Sequence, residues 1–188
     1  MKSIKSIAIQ AAMLAAMTAW AGAAQAATWI DVGPASGFTI DGSSVTYSPS
    51  PALMVKYYDG NLTPQSPADI QGYINGAFGT SLGAAVSYCD SATSGCTAGT
   101  TAGLSGGVNS YTSAAAYDYL AIHFGQGELV FHWAAPVAAG TTFTVAGLPK
   151  DLSNYRAFIS AVPEPETYAM LLAGLGLLGF LARRRQGK

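Results

Sequence analysis

Tyr168 to Ala182 is an uncharged apolar run of 15 residues closed by Arg183-Arg184-Arg185, and a small globular body has nowhere to put it. Leu171, Leu172, Leu175, Leu178 and Phe180 surround the helix it would form instead of striping one side, which argues against a buried core helix. Such a helix would be about 22 Å long against a hydrocarbon core of about 30 Å. Snorkelling arginines and local thinning of the bilayer cover a deficit of that size. A marginal C-terminal transmembrane helix is therefore expected. Drawing Arg183, Arg184 and Arg185 through the bilayer would cost about 2.5–3.5 kcal/mol each, so they should stay cytoplasmic with the body on the other side.

Just before the run lies Val162-Pro163-Glu164-Pro165-Glu166. The two prolines fix their own φ and push Val162 and Glu164 towards extended geometry. An extended, unpaired backbone is what a protease or transpeptidase cleft accepts. At the other end, Lys2 and Lys5 precede an apolar stretch, Ile7 to Trp20, and a small-residue run ending Ala24-Gln25-Ala26. This is the layout of a secretory signal peptide, with cleavage expected after Ala26 and Ala24 three residues before the cut; an uncleaved anchor is the alternative.

Signal peptide, Val162-Pro163-Glu164-Pro165, short apolar helix and terminal arginines together resemble a PEP-CTERM protein. The likeness covers about 25 residues at the C-terminus, together with the signal peptide. It implies that the chain is a substrate of an exosortase, a membrane cysteine protease of Gram-negative bacteria that make exopolysaccharide, biofilm or floc. Val162, Pro163, Glu164, Pro165 and Glu166 would be the recognition segment. The precursor would then sit transiently in the inner membrane with a periplasmic body, before reaching the cell surface or the extracellular space. Bodies carrying such tails differ widely, so the likeness implies nothing about what the body binds.

Three segments follow: 1–26 as signal peptide, 27–161 as exported domain and 162–188 as sorting tail. The domain holds three basic residues (Lys56, Lys150, Arg156) against eight acidic ones, a net charge near −5 hidden by the near-neutrality of the whole chain. Without a basic patch, it is a poor partner for nucleic acid or for an anionic membrane surface. Cys89 and Cys96 are the only cysteines, and export would oxidise them to a disulfide. Closing that loop is worth about 2.5 kcal/mol in the chain-entropy description. A metal site would need more ligands than this pair, and no cofactor is expected.

Alternation, turn residues and β-branched runs dominate the domain. An all-β fold is expected, an antiparallel, jelly-roll-like β-sandwich with one short helix. Strands are expected at Trp29–Val32, Gly37–Ile40, Ser44–Ser48, Leu53–Tyr58, Ala84–Cys89, Tyr117–Phe124, Glu128–Trp133, Thr141–Val145 and Tyr155–Ser160, with Asp41-Gly42 as a hairpin turn. Ser66 can cap the helix, Pro67 suits its first position and Asp69 completes a capping box. Ile70, Tyr73, Ile74, Ala77 and Phe78 form its apolar stripe, which should pack on a sheet. The Gly-, Ser- and Thr-rich stretch from Ser91 to Ser113 reads as loops around the disulfide.

Gly125-Gln126 fits a two-residue type II′ turn, which sets a register. Phe124 then opposes Gly127, Leu120 opposes Phe131, and Ile122 opposes Leu129 on a core face shared by Trp133. The other face carries His123 opposite Glu128 and Tyr119 opposite His132. These four make a candidate ligand face, although cross-strand polar pairs on a solvent face are the stronger explanation for them.

Gly103-Leu104-Ser105-Gly106-Gly107 matches a nucleophile-elbow pattern but lacks the strand before and helix after that the chemistry needs. Asn61-Leu62-Thr63 is a formal glycosylation sequon, uninformative in a bacterial context, and Asp59-Gly60-Asn61 reads as a turn. The expectation is a non-catalytic, exported surface or matrix protein with a structural or adhesive role in exopolysaccharide or biofilm. A carbohydrate-binding module using the hairpin's outer face is the alternative. Ice binding and hydrolysis rank lower.

Overall fold

The computed structural model describes residues 28–34, 36–90, 95–103, 108–161 and 171–175. Two antiparallel sheets face each other. The larger runs in the order β1 (Trp29–Asp31), β4 (Met54–Asp59), β10 (Gly127–Val137), β9 (Tyr117–Phe124), β12 (Leu152–Phe158), β5 (Ser87–Asp90), β6 (Gly95–Cys96). The smaller runs β2 (Gly37–Ile40), β3 (Ser43–Ser48), β11 (Thr142–Ala146), β8 (Val108–Thr112), β7 (Thr101–Gly103). One helix, α1 (Pro67–Phe78), joins β4 to β5. The expected β-sandwich with a short helix is thus present.

The main core lies between the sheets, where Val45, Tyr47, Phe143 and Val145 of the small sheet meet Val55, Leu120, Ile122, Leu129, Phe131 and Trp133 of the large one. Its rings interlock: Tyr47 and Phe131 lie 4.8 Å apart and Phe131 and Phe143 5.1 Å, in the tilted and edge-on arrangements aromatic quadrupoles prefer.

Two hairpins follow their turn chemistry. Asp41 (φ 47°) and Gly42 (φ 75°) both take positive φ, as a type I′ turn requires, and pair Ile40 with Ser43. At Gly125-Gln126 only the glycine is positive (φ 56°), the type II′ pattern. Phe124 opposes Gly127, Ile122 opposes Leu129 and Leu120 opposes Phe131, as the two-residue loop dictates.

The stretch 91–113 departs from expectation. It supplies β6, β7 and β8, and β8 lies inside the small sheet between β11 and β7. Its inward positions are Asn109 and the wholly buried Tyr111, an alternation masked by flanking glycines and hydroxyl residues that read as loop. Other boundaries also move. Strand β5 begins at Ser87 instead of Ala84, β10 runs on to Val137, and β12 ends at Phe158, leaving Ser160 in an isolated bridge with Leu82.

Gly147, just after β11, sits at φ 78°, and a Cβ there would lie 2.0 Å from the Ser44 carbonyl oxygen. Gly140 has nearly the same φ (79°) but open space around it. Gly140→Ala should therefore cost only the left-handed penalty, about 1–2 kcal/mol. Gly147→Ala adds a backbone collision and should cost about 3 kcal/mol or more. Urea unfolding of the two variants checks this, and equal losses would refute it.

Candidate functional site

An antiparallel sheet usually leaves one face to solvent, but β9 is buried on both: all eight of its residues are covered. The cover is α1. Ser66 accepts a hydrogen bond from the Asp69 amide (3.2 Å) and Pro67 takes the first helical position. Asp69 also receives the Ser66 hydroxyl, so the cap closes on itself. Gly79 (φ 62°) ends the helix in a left-handed turn. Ile70 and Ile74 then seat on Tyr119, Ala121, Val130 and Phe158, a second core on the outer side of the large sheet.

This corrects the exposure expected of the hairpin's outer face. The pairings are as expected, with Tyr119 opposite His132 and His123 opposite Glu128. The access is not, because Tyr119 is 3% exposed, His123 6% and Glu128 0%. Tyr119 and His132 stack at 4.1 Å and 9°, and Phe78 of α1 stands edge-on to both, leaving no room for a ligand on the Tyr119 ring. Burial pushes the Tyr119 phenol up and pulls the His132 imidazole down, against the Asp118 carboxylate that holds it up.

At its other end the outer face is polar, and there the segment 61–66 replaces the helix as a lid. His123 Nδ1 lies 3.0 Å from Glu128 Oε2, and both His123 ring nitrogens lie 3.2–3.3 Å from Gln65 Nε2. The consistent assignment has Nδ1–H donating to the carboxylate and Nε2 accepting from the amide. Gln65 Nε2 also donates to Asn61 Oδ1 at 2.7 Å, while Gln65 Oε1 accepts from Asn154 Nδ2 at 3.4 Å. Arg156 donates to Asn154 Oδ1 and to the Gln65 carbonyl. Burial pulls its guanidinium down, opposed by the carboxylates of Glu128 and Asp90. Arg156 is 4% exposed, and Glu128 Oε1 has no hydrogen-bond partner among the described residues.

This network floors a cleft of about 650 Å³ whose walls include Asn61, Gln65, Tyr88, Asp90, Asn154 and Arg156. A second, less polar depression of about 330 Å³, walled by Ala68, Gln71, Ala84 and Ala85, adjoins it and shares Ser66, Pro67 and Tyr88. Cys89 and Cys96 are directly paired across β5 and β6 and are disulfide-bonded with Cα atoms 4.0 Å apart. The bond ties the short edge strand β6 to β5, the strand that carries Tyr88 and Asp90.

Of the four residues proposed for the ligand face, the structure brings His123 to the cleft floor, buries Glu128 behind it and closes Tyr119 and His132 under α1. Gln65, Asn154, Arg156 and Tyr88 had not been singled out. The available signal was Arg156, a cation in the middle of the apolar strand Tyr155-Arg156-Ala157-Phe158.

The nucleophile-elbow pattern is partly described: β7, a strand, precedes it and β8, not a helix, follows, while Leu104 to Gly107, including Ser105, lie outside the described residues. The signal segment with Ala24 and Ala26, the segment Val162 to Glu166 and Arg183 to Arg185 also lie outside them. Residues 171–175 are helical and exposed, and no helix among the described residues is long and apolar enough to cross a membrane. The same residues contain no group of three or more His, Cys, Asp or Glu able to hold a metal ion.

Among the described residues, the last backbone hydrogen bond before the tail runs from the Ala161 amide to the Ser81 carbonyl at 3.2 Å. Neither a curated protein nor a solved structure matches the chain. Residues 161–185 match the family model of the PEP-CTERM protein-sorting motif, so the chain carries the sorting tail of an exosortase-targeted secreted protein.

Proposed function

We propose that this protein is a non-catalytic building block of the cell surface or the extracellular polysaccharide matrix, exported as a membrane-held precursor and cut by an exosortase at Val162–Glu166. The observation that carries the reading is the junction of domain and tail. The match to the sorting motif starts at residue 161, whose amide is still hydrogen-bonded into the sandwich at the Ser81 carbonyl. A cut in the proline-stiffened segment that follows would release or transfer a closed sandwich with almost no trailing chain. The ionisable groups at the cleft floor are already engaged, His123 with the Glu128 carboxylate behind it and Arg156 with the Asn154 side chain and the Gln65 carbonyl, which suits holding a partner more than turning one over.

Mass spectrometry of the protein's C-terminus in the producing bacterium tests this. In cells with the sorting protease the mature chain should end before Tyr168. In cells without it, or in a chain with Pro163→Ala, Glu164→Ala and Pro165→Ala, the tail should persist to Lys188 and the protein should remain with the inner membrane. An untouched Lys188 terminus in wild-type cells would end the proposal.

A further inference from the structure

We infer that the two adjoining depressions beside Tyr88 form one groove that binds an uncharged glycan chain, an inference that rests on the matrix reading above and names the partner's chemistry. The polar depression, at about 650 Å³, and its neighbour, at about 330 Å³, each lie in the range of small-ligand sites, and together they exceed what a single sugar ring fills. A pyranose has a ring of hydroxyls at its edge and C–H groups on its faces, and the groove offers both kinds of contact. Its polar half is lined by the side-chain amides of Asn61, Gln65 and Asn154, planar groups that donate and accept at once, as adjacent hydroxyls do. Tyr88 stands between the halves, 42% exposed, the one large aromatic ring on the boundary and free to receive a C–H face.

The groove is also held ready. Arg156 bonds Asn154 and the Gln65 carbonyl, so the amides are fixed to the sheet, and the Cys89–Cys96 bond steadies the strand under Tyr88. Preorganisation of this kind lowers the ordering cost that weakens most glycan binding. Charge selects against acidic glycans. The domain carries a net charge near −5, and Asp90 on the groove wall, with Glu128 buried behind His123, offsets the single Arg156 guanidinium. An oligouronate would meet repulsion there, whereas a neutral chain meets none.

The test uses the full-length protein in detergent, titrated calorimetrically with neutral oligosaccharides of glucose, mannose and galactose, with the producing bacterium's own exopolysaccharide after partial hydrolysis, and with oligouronates. Binding is expected for at least one neutral series, tightening with chain length until both depressions are filled and then levelling off. Tyr88→Ala should weaken it about tenfold and Asn61→Ala by a similar factor, with melting temperature unchanged because both side chains sit at the surface. The inference is overturned if no neutral series binds, if neither substitution weakens binding, or if oligouronates bind more tightly. Tail processing measured on Tyr88→Ala cells separates the two claims: a correctly cut but non-binding protein removes the groove and leaves the sorting reading standing.

Discussion

Arg156→Met should lower the unfolding free energy by about 3–5 kcal/mol, the cost of taking one member from a buried charge cluster. The guanidinium is 4% exposed and ties Asn154 and the Gln65 carbonyl to the sheet, residues about 90 positions apart in the chain (89 for the Gln65–Asn154 bond). Its removal takes the donor from the buried Asn154 Oδ1 and from the partly buried Gln65 carbonyl. It also leaves Glu128, wholly buried, with His123 as its one hydrogen-bonding partner among the described residues and without the attraction of the Arg156 charge. Methionine retains the stem's volume, so the loss reports electrostatics and hydrogen bonding more than a cavity.

A second substitution separates these terms. Adding Glu128→Gln removes the stranded charge, so the double variant should lose less than the sum of the single losses, by at least about 1 kcal/mol. Amide hydrogen exchange should speed up in the segment 61–66 of Arg156→Met and little in the main core. Additive losses, or a single-variant loss below about 1 kcal/mol, would show that Arg156 is not the pin of this lid.

The same cluster marks the limit of what the sequence discloses. Local chemistry is legible. Asp41-Gly42 and Gly125-Gln126 demand particular turns, a two-residue turn fixes every cross-strand neighbour, and Ser66-Pro67 with Asp69 starts a helix where those residues say it should. Which side of a strand faces water is not local. The outer face of β9 and β10 has the polar pairs of a solvent face, and only the docking of α1, about 50 residues upstream of β9, turns that face into a second core. Gln65 reads as an ordinary loop residue until β12 arrives with Asn154 and Arg156 to meet it. Strand β8 was hidden for a different reason, since threonine and serine serve loops and strands alike and only the inward Tyr111 distinguishes the two. The sorting tail needs no tertiary context, because its message is carried by composition, proline and charge order along a single stretch.

Above about pH 10 three tyrosines of the main core should together cost the domain about 4 kcal/mol of stability per pH unit, and it should unfold by about pH 12. Tyr111, Tyr117 and Tyr155 are 0% exposed and gather in the main core, where Tyr111 stacks on Tyr155 at 4.8 Å and meets Tyr117 edge-on at 6.1 Å. Burial pushes the Tyr111 phenol up to about 12, although hydrogen bonds with Ser87 and Ser113 pull the other way. Burial also raises Tyr117 and Tyr155, whose hydroxyls have no partner among the described residues. A phenol whose folded pKa lies above its unfolded value favours the fold fully below the unfolded pKa, about 10, and ceases to do so as pH rises through the folded one. In that window the unfolded chain sheds protons that the native chain retains. Each tyrosine then contributes a loss of about 1.4 kcal/mol per pH unit, and three together exhaust an ordinary domain's stability in two to three units, about 5–15 kcal/mol in all. Urea unfolding at about pH 9 and about pH 11 measures the slope, and tyrosinate absorbance from these three should emerge with unfolding and not before it. In Tyr117→Phe with Tyr155→Phe the slope should fall by about 2.8 kcal/mol per pH unit, the share of the two deleted phenols. Neutral-pH stability should hold or rise, because the deleted hydroxyls have no hydrogen-bond partner among the described residues. An unchanged slope in that variant would place the alkaline transition elsewhere in the molecule.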